Sequence, residues 1–251
     1  MKHLRVKFSA FLSHLIFSLL LIGLFMAIVR ISWFPGVTFE LEDVWQGLKI
    51  LIPVDAILGP VLTFILFVPG KKGLKLDLSV IVILQVAALI YGGYAIYDSR
   101  PAAYVFTGDR FEIVPAKSID LSALEQSKVD QSSGFPLSVY ALPAQTPEEQ
   151  KAFILNNVQY QLMPERYREL SAFSDVVLKK AIPIEWLAPK TDSSVSALEQ
   201  FKQNHNPSEV ALFILQSTTS YAYLIIMNRE TLNLEGYLAV DPWTEIEIPQ
   251  N

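Results

Sequence analysis

Residues 48–68 read LKILIPVDAILGPVLTFILFV, and this stretch determines the kind of fold the chain can adopt. A helix needs about 20 apolar residues to cross the hydrocarbon core of a bilayer, and these 21 residues are long enough. Pro53 and the pair Gly59-Pro60 interrupt the stretch, and one carboxyl, that of Asp55, lies inside it. Proline removes a helical hydrogen bond and kinks the helix, so neighbouring groups must satisfy the freed carbonyls. The stretch therefore predicts a kinked transmembrane helix with Asp55 turned away from lipid.

Two further apolar segments flank it, at residues 8–29 and 78–97. The first is longer than the roughly 7–15 apolar residues of a secretory signal, so we expect a retained anchor rather than a cleaved leader. The chain does not read as a pilin either. A prepilin leader puts the apolar helix after a Gly-Phe cleavage site and a glutamate, whereas here Gly36, Phe39 and Glu40 follow the helix.

The charge of the chain changes near residue 100. The first 100 residues hold nine basic and six acidic side chains, a balance of +3, and the remaining 151 hold 11 and 19, a balance of −8. This distribution predicts a membrane domain over 1–100 with three transmembrane helices and an acidic soluble domain over 101–251. No cationic surface suggests a nucleic-acid partner, and the absence of cysteine excludes disulfides, thiolate metal sites and cysteine nucleophiles.

The distribution of basic residues predicts the orientation. Three of them lie in the first seven residues and three more in the loop 69–75, whereas the loop between the first two spans has only Arg30. Because basic loops stay in the cytoplasm, we expect the N-terminus and the second loop there. The protein is then a multi-pass protein of a bacterial inner membrane, with its C-terminal domain in the periplasm.

Polar residues inside the spans are candidates for function because they are costly in lipid. Counting from the predicted cytoplasmic ends, Asp55 lies thirteen residues deep, roughly 20 Å, level with Tyr91. His14 and Gln85 lie six and seven residues deep, roughly 10 Å, close to the level of Thr63. The sequence therefore predicts two polar layers, Asp55 with Tyr91 and His14 with Thr63 and Gln85.

Small residues accompany these polar groups. Asp55, Gly59 and Thr63 repeat every four residues, with Pro60 beside them, and Gly92 lies on a second stripe with Gln85. Such stripes let helices approach closely. The polar groups could hold the bundle together, recognise another transmembrane helix, or form a proton path or ligand site. The last is disfavoured because three helices are few for a transporter.

After residue 100 the pattern predicts one soluble α+β domain. Gly108-Asp109 marks a hairpin between apolar strands, and Thr146-Pro147-Glu148-Glu149 opens a helix with a capping box. Two further helices are expected at 164–180 and 193–203. The predicted strands at the C-terminus form an antiparallel meander and lie at 210–215, 221–227 and 234–240.

The soluble domain shows little chemistry. His205 is its only histidine and lies in a predicted turn, and histidine metal sites usually need two or more. We find no phosphate loop, dinucleotide fingerprint, nucleophile elbow or zinc-protease motif. No enzyme, no cofactor and no metal are expected.

The run from Val54 to Thr63 resembles the V-D-x-x-x-G-P-x-L-T stretch of type IV pilin accessory proteins of the TfpX/TfpZ type. Residues 75–92 are similar to the K-x-D-L-S-x-I-x-x-x-Q-x-x-A-L-x-Y-G stretch of the same family. Further matching residues are Lys7, Ala10, His14, Trp33-Phe34-Pro35 and Arg100-Pro101. The resemblance covers roughly residues 5–105, and beyond them only the architecture matches.

The resemblance implies a role in type IV pilus biogenesis, as an inner-membrane helper that acts with the major pilin and the assembly machinery and promotes pilin assembly or display. The spans would hold the pilin's apolar helix, whose buried glutamate could find hydrogen-bond partners in the polar layers. Two alternatives remain open. One is a periplasmic ligand sensor that relays through a partner protein, because the chain has no cytoplasmic output domain; the other is a membrane enzyme such as a pilin glycosyltransferase.

Overall fold

The computed structural model describes residues 2–42, 44–127, 129–131, 134–219 and 221–247. These residues form two compact units. The first lies within Met1–Pro35 and Asp43–Ser99, and the second within Gly36–Glu42 and Arg100–Asn251. As predicted, apolar helices come first and a soluble domain of helices and strands follows.

The first unit, called here the membrane module, contains three helical spans long and apolar enough to cross a membrane among the described residues: His3–Trp33, Gly47–Leu66 and Leu74–Asp98. These make the chain a membrane protein. Its α-helices are α1 (Lys2–Ile28), α3 (Val44–Pro53), α4 (Gly59–Leu66) and α5 (Leu74–Asp98); α2 belongs to the second unit. A π-helical turn, Val29–Trp33, ends span one.

Span two has an irregular backbone around Asp55. The five residues Val54–Leu58 form a π-helical turn between α3 and α4, closed by the Gly59 N–H on the Val54 carbonyl. Pro60 has no N–H to donate to the residue four positions back, and its ring would clash with that carbonyl in a regular helix. The wider turn accommodates the proline, so the interruption predicted for this span takes the form of a π-helical turn.

The second unit, called here the soluble unit, is built on a mixed seven-stranded sheet in the order β4-β3-β1-β2-β6-β7-β8 among the described residues. Its strands are β1 (Pro101–Phe106), β2 (Phe111–Pro115), β3 (Leu137–Ala141), β4 (Tyr167–Glu169), β5 (Ala188–Pro189), β6 (Val210–Gln216), β7 (Ala222–Asn228), β8 (Leu234–Leu238) and β9 (Ile246–Glu247). Its helices are α2 (Thr38–Leu41), α6 (Leu121–Glu125), α7 (Pro147–Leu155), α8 (Ser174–Leu178) and α9 (Asp192–Asn204). The strands β5 and β9 pair separately.

Several local predictions are confirmed. Gly108, with φ +112°, lies in the turn that joins β1 to its antiparallel neighbour β2. The hydroxyl of Thr146 accepts a hydrogen bond from the Glu149 N–H at 3.1 Å and caps α7. The strands β6, β7 and β8 form the predicted antiparallel meander. Strand pairs β1–β3 and β2–β6 are parallel, which the sequence pattern did not indicate.

The predicted helix over 164–180 is wrong. The segment begins with a 3₁₀ turn at Pro164–Arg166, continues as the edge strand β4 and a second 3₁₀ turn, and is α-helical only at α8. Tyr167 is fully buried and its hydroxyl donates to the Gln161 carbonyl. Pairing of β4 with β3 and burial of this ring outweigh the helical propensity of the charged residues around it.

Apolar residues cover both faces of the sheet. One face of β1 and β6 carries large rings such as Phe106 and Phe213, which meet edge to face at 6.2 Å. The opposite face of the same strands carries smaller side chains, including Val105 and Leu212. This double coverage explains why the strands read as continuous apolar runs rather than alternating ones.

One segment corrects the predicted domain boundary. Gly36–Glu42, from the loop between the first two spans, folds as part of the soluble unit rather than with residues 1–100. Val37 and Leu41 are each 1% exposed in that unit's core, and the Leu41 carbonyl accepts hydrogen bonds from the hydroxyls of Ser217 and Thr219, both at 2.8 Å. The loop between the first two spans therefore contributes a segment to the core of the soluble unit.

Candidate functional site: a polar groove in the membrane module

A hydrogen-bonded polar network lies inside the membrane module. His14 Nδ1 is 2.6 Å from Thr63 Oγ1, and His14 Nε2 is 3.0 Å from Gln85 Oε1. The amide nitrogen of Gln85 donates to the Asp55 backbone carbonyl at 3.4 Å. Because Gln85 Oε1 can only accept, His14 Nε2 is the donor in that pair, and in the tautomer protonated only at Nε2 the Thr63 hydroxyl donates to Nδ1. All three spans contribute to this one network.

The structure contains one of the two predicted layers. His14, Thr63 and Gln85 meet as predicted, but Asp55 does not pair with Tyr91, because Asp55 is 3% exposed and Tyr91 is 80% exposed on the outer face of α5. Asp55 instead joins the His14 layer through Gln85.

The error came from the predicted ends of the spans. Helix α5 begins at Leu74 rather than at residue 78, so Gln85 lies eleven residues into it. Span two ends at Leu66, and Asp55 likewise lies eleven residues from that end. At about 1.5 Å per residue the two side chains share one depth, where the predicted ends had separated them by roughly 10 Å.

The small residues of the predicted stripes permit this packing. Asp55, Gly59, Pro60 and Thr63 are all buried. A Cβ atom placed on Gly59 would collide with the side-chain amide of Gln85. Gly92 has the same role on α5, where an added Cβ would come within 2.7 Å of a Leu51 methyl group. The glycines therefore let the spans approach closely enough for the hydrogen bonds to form.

Asp55 also lines an open groove between spans one and three. The groove holds a cavity of about 320 Å³, formed by Ser13, His14, Phe17, Ser18, Leu21, Asp55, Val82, Gln85, Val86 and Leu89. Asp55 Oδ1 is buried and has no hydrogen-bond partner among the residues that the structure describes. Burying a carboxyl oxygen without a hydrogen-bond donor is costly in a low-dielectric medium. A partner that brought a donor to this oxygen would therefore be stabilised there.

Leu89 also lines a second cavity, of about 420 Å³ and with aromatic walls, between the same two spans. Its lining consists of Phe25, Trp33, Leu89, Ile90, Gly93, Tyr94 and Tyr97. Trp33 packs edge to face on Phe25 and on Tyr97, with ring centroids 5.8 and 5.0 Å apart. Aromatic rings of this kind are enriched at the interface between lipid and water.

Sequence reasoning missed two polar residues of the module. Ser18 is 3% exposed and lines the groove one helical turn from His14, a spacing that could have revealed it. Lys7 donates to the Ile65 carbonyl at 3.1 Å and fastens span one to the end of span two.

Outside the groove, the candidate chemistry stays sparse. No group of three or more His, Asp or Glu side chains is placed to hold a metal ion within the described parts of the chain. His205 follows the end of α9, as its predicted turn required, and stacks on Phe201 with centroids 5.1 Å apart. Glu245 accepts hydrogen bonds from the Ser193 hydroxyl and the Asp241 N–H, both at 2.8 Å, so this acid has a structural role.

The chain resembles proteins from Dichelobacter nodosus. It is 27% identical over 251 residues to the fimbrial assembly protein of serogroup I, covering 94% of this chain and 97% of that protein. It is 35% identical over 130 residues to the fimbrial assembly protein of serogroups C1 and C2, covering 49% of this chain and 97% of that protein. The serogroup E1 protein is 27% identical over 252 residues, with coverage of 94% and 97%. No protein-family model and no solved structure matches.

Proposed function

The chain belongs to the fimbrial assembly protein family, and on this premise we propose that it is an inner-membrane accessory protein of type IV pilus biogenesis. It acts with the major pilin and promotes its assembly or surface display. Its role is that of a non-catalytic helper, with the N-terminus in the cytoplasm and the soluble unit in the periplasm.

The observation that carries this proposal is the similarity to fimbrial assembly proteins along nearly the whole chain, through both the membrane module and the soluble unit. The architecture supports it, because a pilin before assembly has an apolar helix in the membrane and a globular head outside. A partner with one unit in lipid and one in water can contact both parts of such a subunit.

Deletion of the gene in its host tests the proposal. We expect surface pili, measured in sheared fractions and by electron microscopy, to be lost while the cellular pool of pilin subunits persists. Restoring the gene should restore the pili, and the full-length tagged protein should co-purify with the major pilin from detergent-solubilised membranes. Normal piliation in the deletion strain would contradict the proposal.

A cavity in the soluble unit favours a second candidate function, a sensor. It measures about 450 Å³, and its mostly polar surface includes Glu185, Ser208 and Arg229 beside apolar residues such as Leu178 and Ile184. A small ligand with both charged and apolar parts would suit such walls. In that case the deletion strain would keep its pili and would instead lose an envelope response relayed by a partner protein.

A further inference from the structure

We propose that the groove between spans one and three is a docking site for one transmembrane helix of the pilin, and that Asp55 is its polar contact. This inference rests on the proposed function for the identity of the partner. The location and the chemistry of the site come from the membrane module itself.

The dimensions of the groove suit a helix. Along α5 the linings of the two neighbouring cavities together extend from Val82 to Tyr97, fifteen residues or about 23 Å, most of the roughly 30 Å hydrocarbon thickness. The walls are spans one and three, and Asp55 of span two lies at the base. Phe17 and Ile90 on these walls are 66% and 67% exposed, so the groove opens sideways toward the membrane.

The polar base distinguishes a helix from lipid as the occupant. Acyl chains could fill the apolar walls but offer nothing to Asp55 Oδ1, which is buried without a partner among the described residues. A transmembrane helix can bring a hydroxyl, an amide or a protonated carboxyl to that depth, where hydrogen bonds between helices stabilise association. The π-helical turn at Val54–Leu58 places Asp55 at this point, and such turns occur frequently at functional sites.

The two faces of α5 differ in a way that a test can use. Leu89 lies at the junction of the two cavities, whereas Leu84 is 62% exposed and lines neither of them. Both are leucines in the same helix at membrane depth, so equal substitutions at the two positions form a matched pair. The absence of cysteine from the chain adds a clean background for labelling.

The first experiment is site-specific photocrosslinking in living cells. A benzophenone amino acid replaces Leu89 or Leu84 in the full-length protein, and adducts are detected with antibodies against the major pilin. We expect a pilin adduct from position 89 and at least several-fold less from position 84. Equal yields, no pilin adduct, or an adduct only with lipid or with a second copy of this chain would overturn the inference.

Two substitutions then test the polar contact in the crosslinking background. Asp55→Leu removes both carboxyl oxygens and should lower the pilin adduct roughly three- to tenfold, the range expected for one hydrogen bond between membrane helices. Asp55→Asn keeps a hydrogen-bonding oxygen and should stay near the wild-type yield. Undiminished yield with Asp55→Leu would remove Asp55 from the site.

A steric variant covers the case in which Asp55→Leu fails to fold. Leu89→Trp fills the groove from a position that makes none of the network's hydrogen bonds and should abolish pilin co-purification, whereas Leu84→Trp should not. If both tryptophan variants retain pilin while the deletion strain loses its pili, the docking site is wrong and the proposed function stands. If the deletion strain keeps its pili, the proposed function itself fails.

Discussion

The membrane module and the soluble unit differ in the polar side chains they bury and in the apolar side chains they expose, although both bury apolar residues, such as Leu48 in the module. The module buries Ser18, Asp55 and Thr63 and turns leucines outward, such as Leu20 at 69% exposure. The soluble unit buries large rings, including Tyr167 and Phe213, at 0% exposure. In water, removing apolar surface drives folding, whereas in lipid the surroundings are as apolar as leucine and polar groups with small residues decide which helices pack.

The same contrast extends to the backbone. The sheet of the soluble unit satisfies its carbonyls and N–H groups through regular ladders, with bulges in the pairings β1–β2 and β7–β8. Span two instead departs from the α-helix at Val54–Leu58, where Asp55 Oδ1 has no hydrogen-bond partner among the described residues. The membrane module thus has its irregular backbone and its unbonded buried oxygen at the same position. A partner helix that donates a hydrogen bond would gain most stabilisation there.

The largest expected effect compares two leucines. Leu224→Ala, at 0% exposure in the soluble core, should cost about 2–5 kcal/mol of unfolding free energy through lost burial and the cavity left behind. Leu20→Ala, facing lipid, should change stability little, because its side chain leaves one apolar surrounding for another. Urea unfolding of the full chain in detergent micelles, followed by pulse proteolysis, measures the first, and titration with a denaturing detergent measures the second. Comparable costs at both positions would break the contrast.

Next in size is a pair of glycines within the membrane module. Gly59→Leu must displace the Gln85 amide from its hydrogen bonds or separate the helices, and should cost about 1–3 kcal/mol by overpacking. Gly23→Leu meets nothing within 4 Å and should be tolerated. Resistance of the purified variants to a denaturing detergent gives both values. Equal behaviour would show that close helix packing at Gly59 does not hold the module together.

A pair of threonines compares one hydrogen bond in each unit. Thr146→Ala removes the helix cap of α7 and should cost about 1 kcal/mol. Thr63→Val removes the hydroxyl that bonds His14 and should cost about 0.6 kcal/mol, since hydrogen bonds in membrane proteins average near that value. Urea and detergent titrations of the full chain provide the two numbers. A cost above about 2 kcal/mol at Thr63 would mean that the polar network is cooperative.

The smallest effect is a pH dependence confined to the soluble unit. The hydrogen bonds from the Asp241 N–H and the Ser193 hydroxyl hold the pKa of Glu245 below its usual value. A lowered folded-state pKa contributes stability above pH 4.5, and this contribution is lost as the pH falls through the folded-state pKa. Glu245→Gln should therefore weaken the pH dependence of the unfolding free energy at acidic pH.

The control for this variant is Glu247→Gln, an exposed glutamate two residues along in β9. Urea unfolding of both variants is measured at several pH values between about 3 and 7, a range that includes the ordinary pKa of a carboxyl group. The comparison separates the contribution of Glu245 from that of Glu247. An unchanged pH dependence at acidic pH in Glu245→Gln would assign the lowered pKa no role in stability.

The membrane module was predictable wherever a physical rule applies to a single segment of the sequence. Twenty apolar residues give a span, and proline with glycine gives the irregular backbone around Asp55. The layer of His14, Thr63 and Gln85 followed from counting depth. The partner of Asp55 did not, because the ends of the helices depend on residues 74–77, whose helical continuation apolarity does not reveal.

The soluble unit was predictable only at the level of local signals. The turn at Gly108, the cap at Thr146 and the C-terminal meander depend on neighbouring residues. The 164–180 segment and the insertion of residues 36–42 depend on distant ones. Val37 is buried because a core more than sixty residues away in the sequence receives it, and no pattern within the loop states this.

The sequence by itself determined three spans, an acidic soluble domain after them, and a short set of polar residues in the membrane. Hydrophobicity, charge and proline act locally and can be read from single segments. Only the tertiary structure decided that one network joins all three spans, that Asp55 Oδ1 is left without a partner among the described residues, and that spans one and three leave a groove above it. These features depend on how helix ends, rotations and small residues combine, and packing alone fixes that combination.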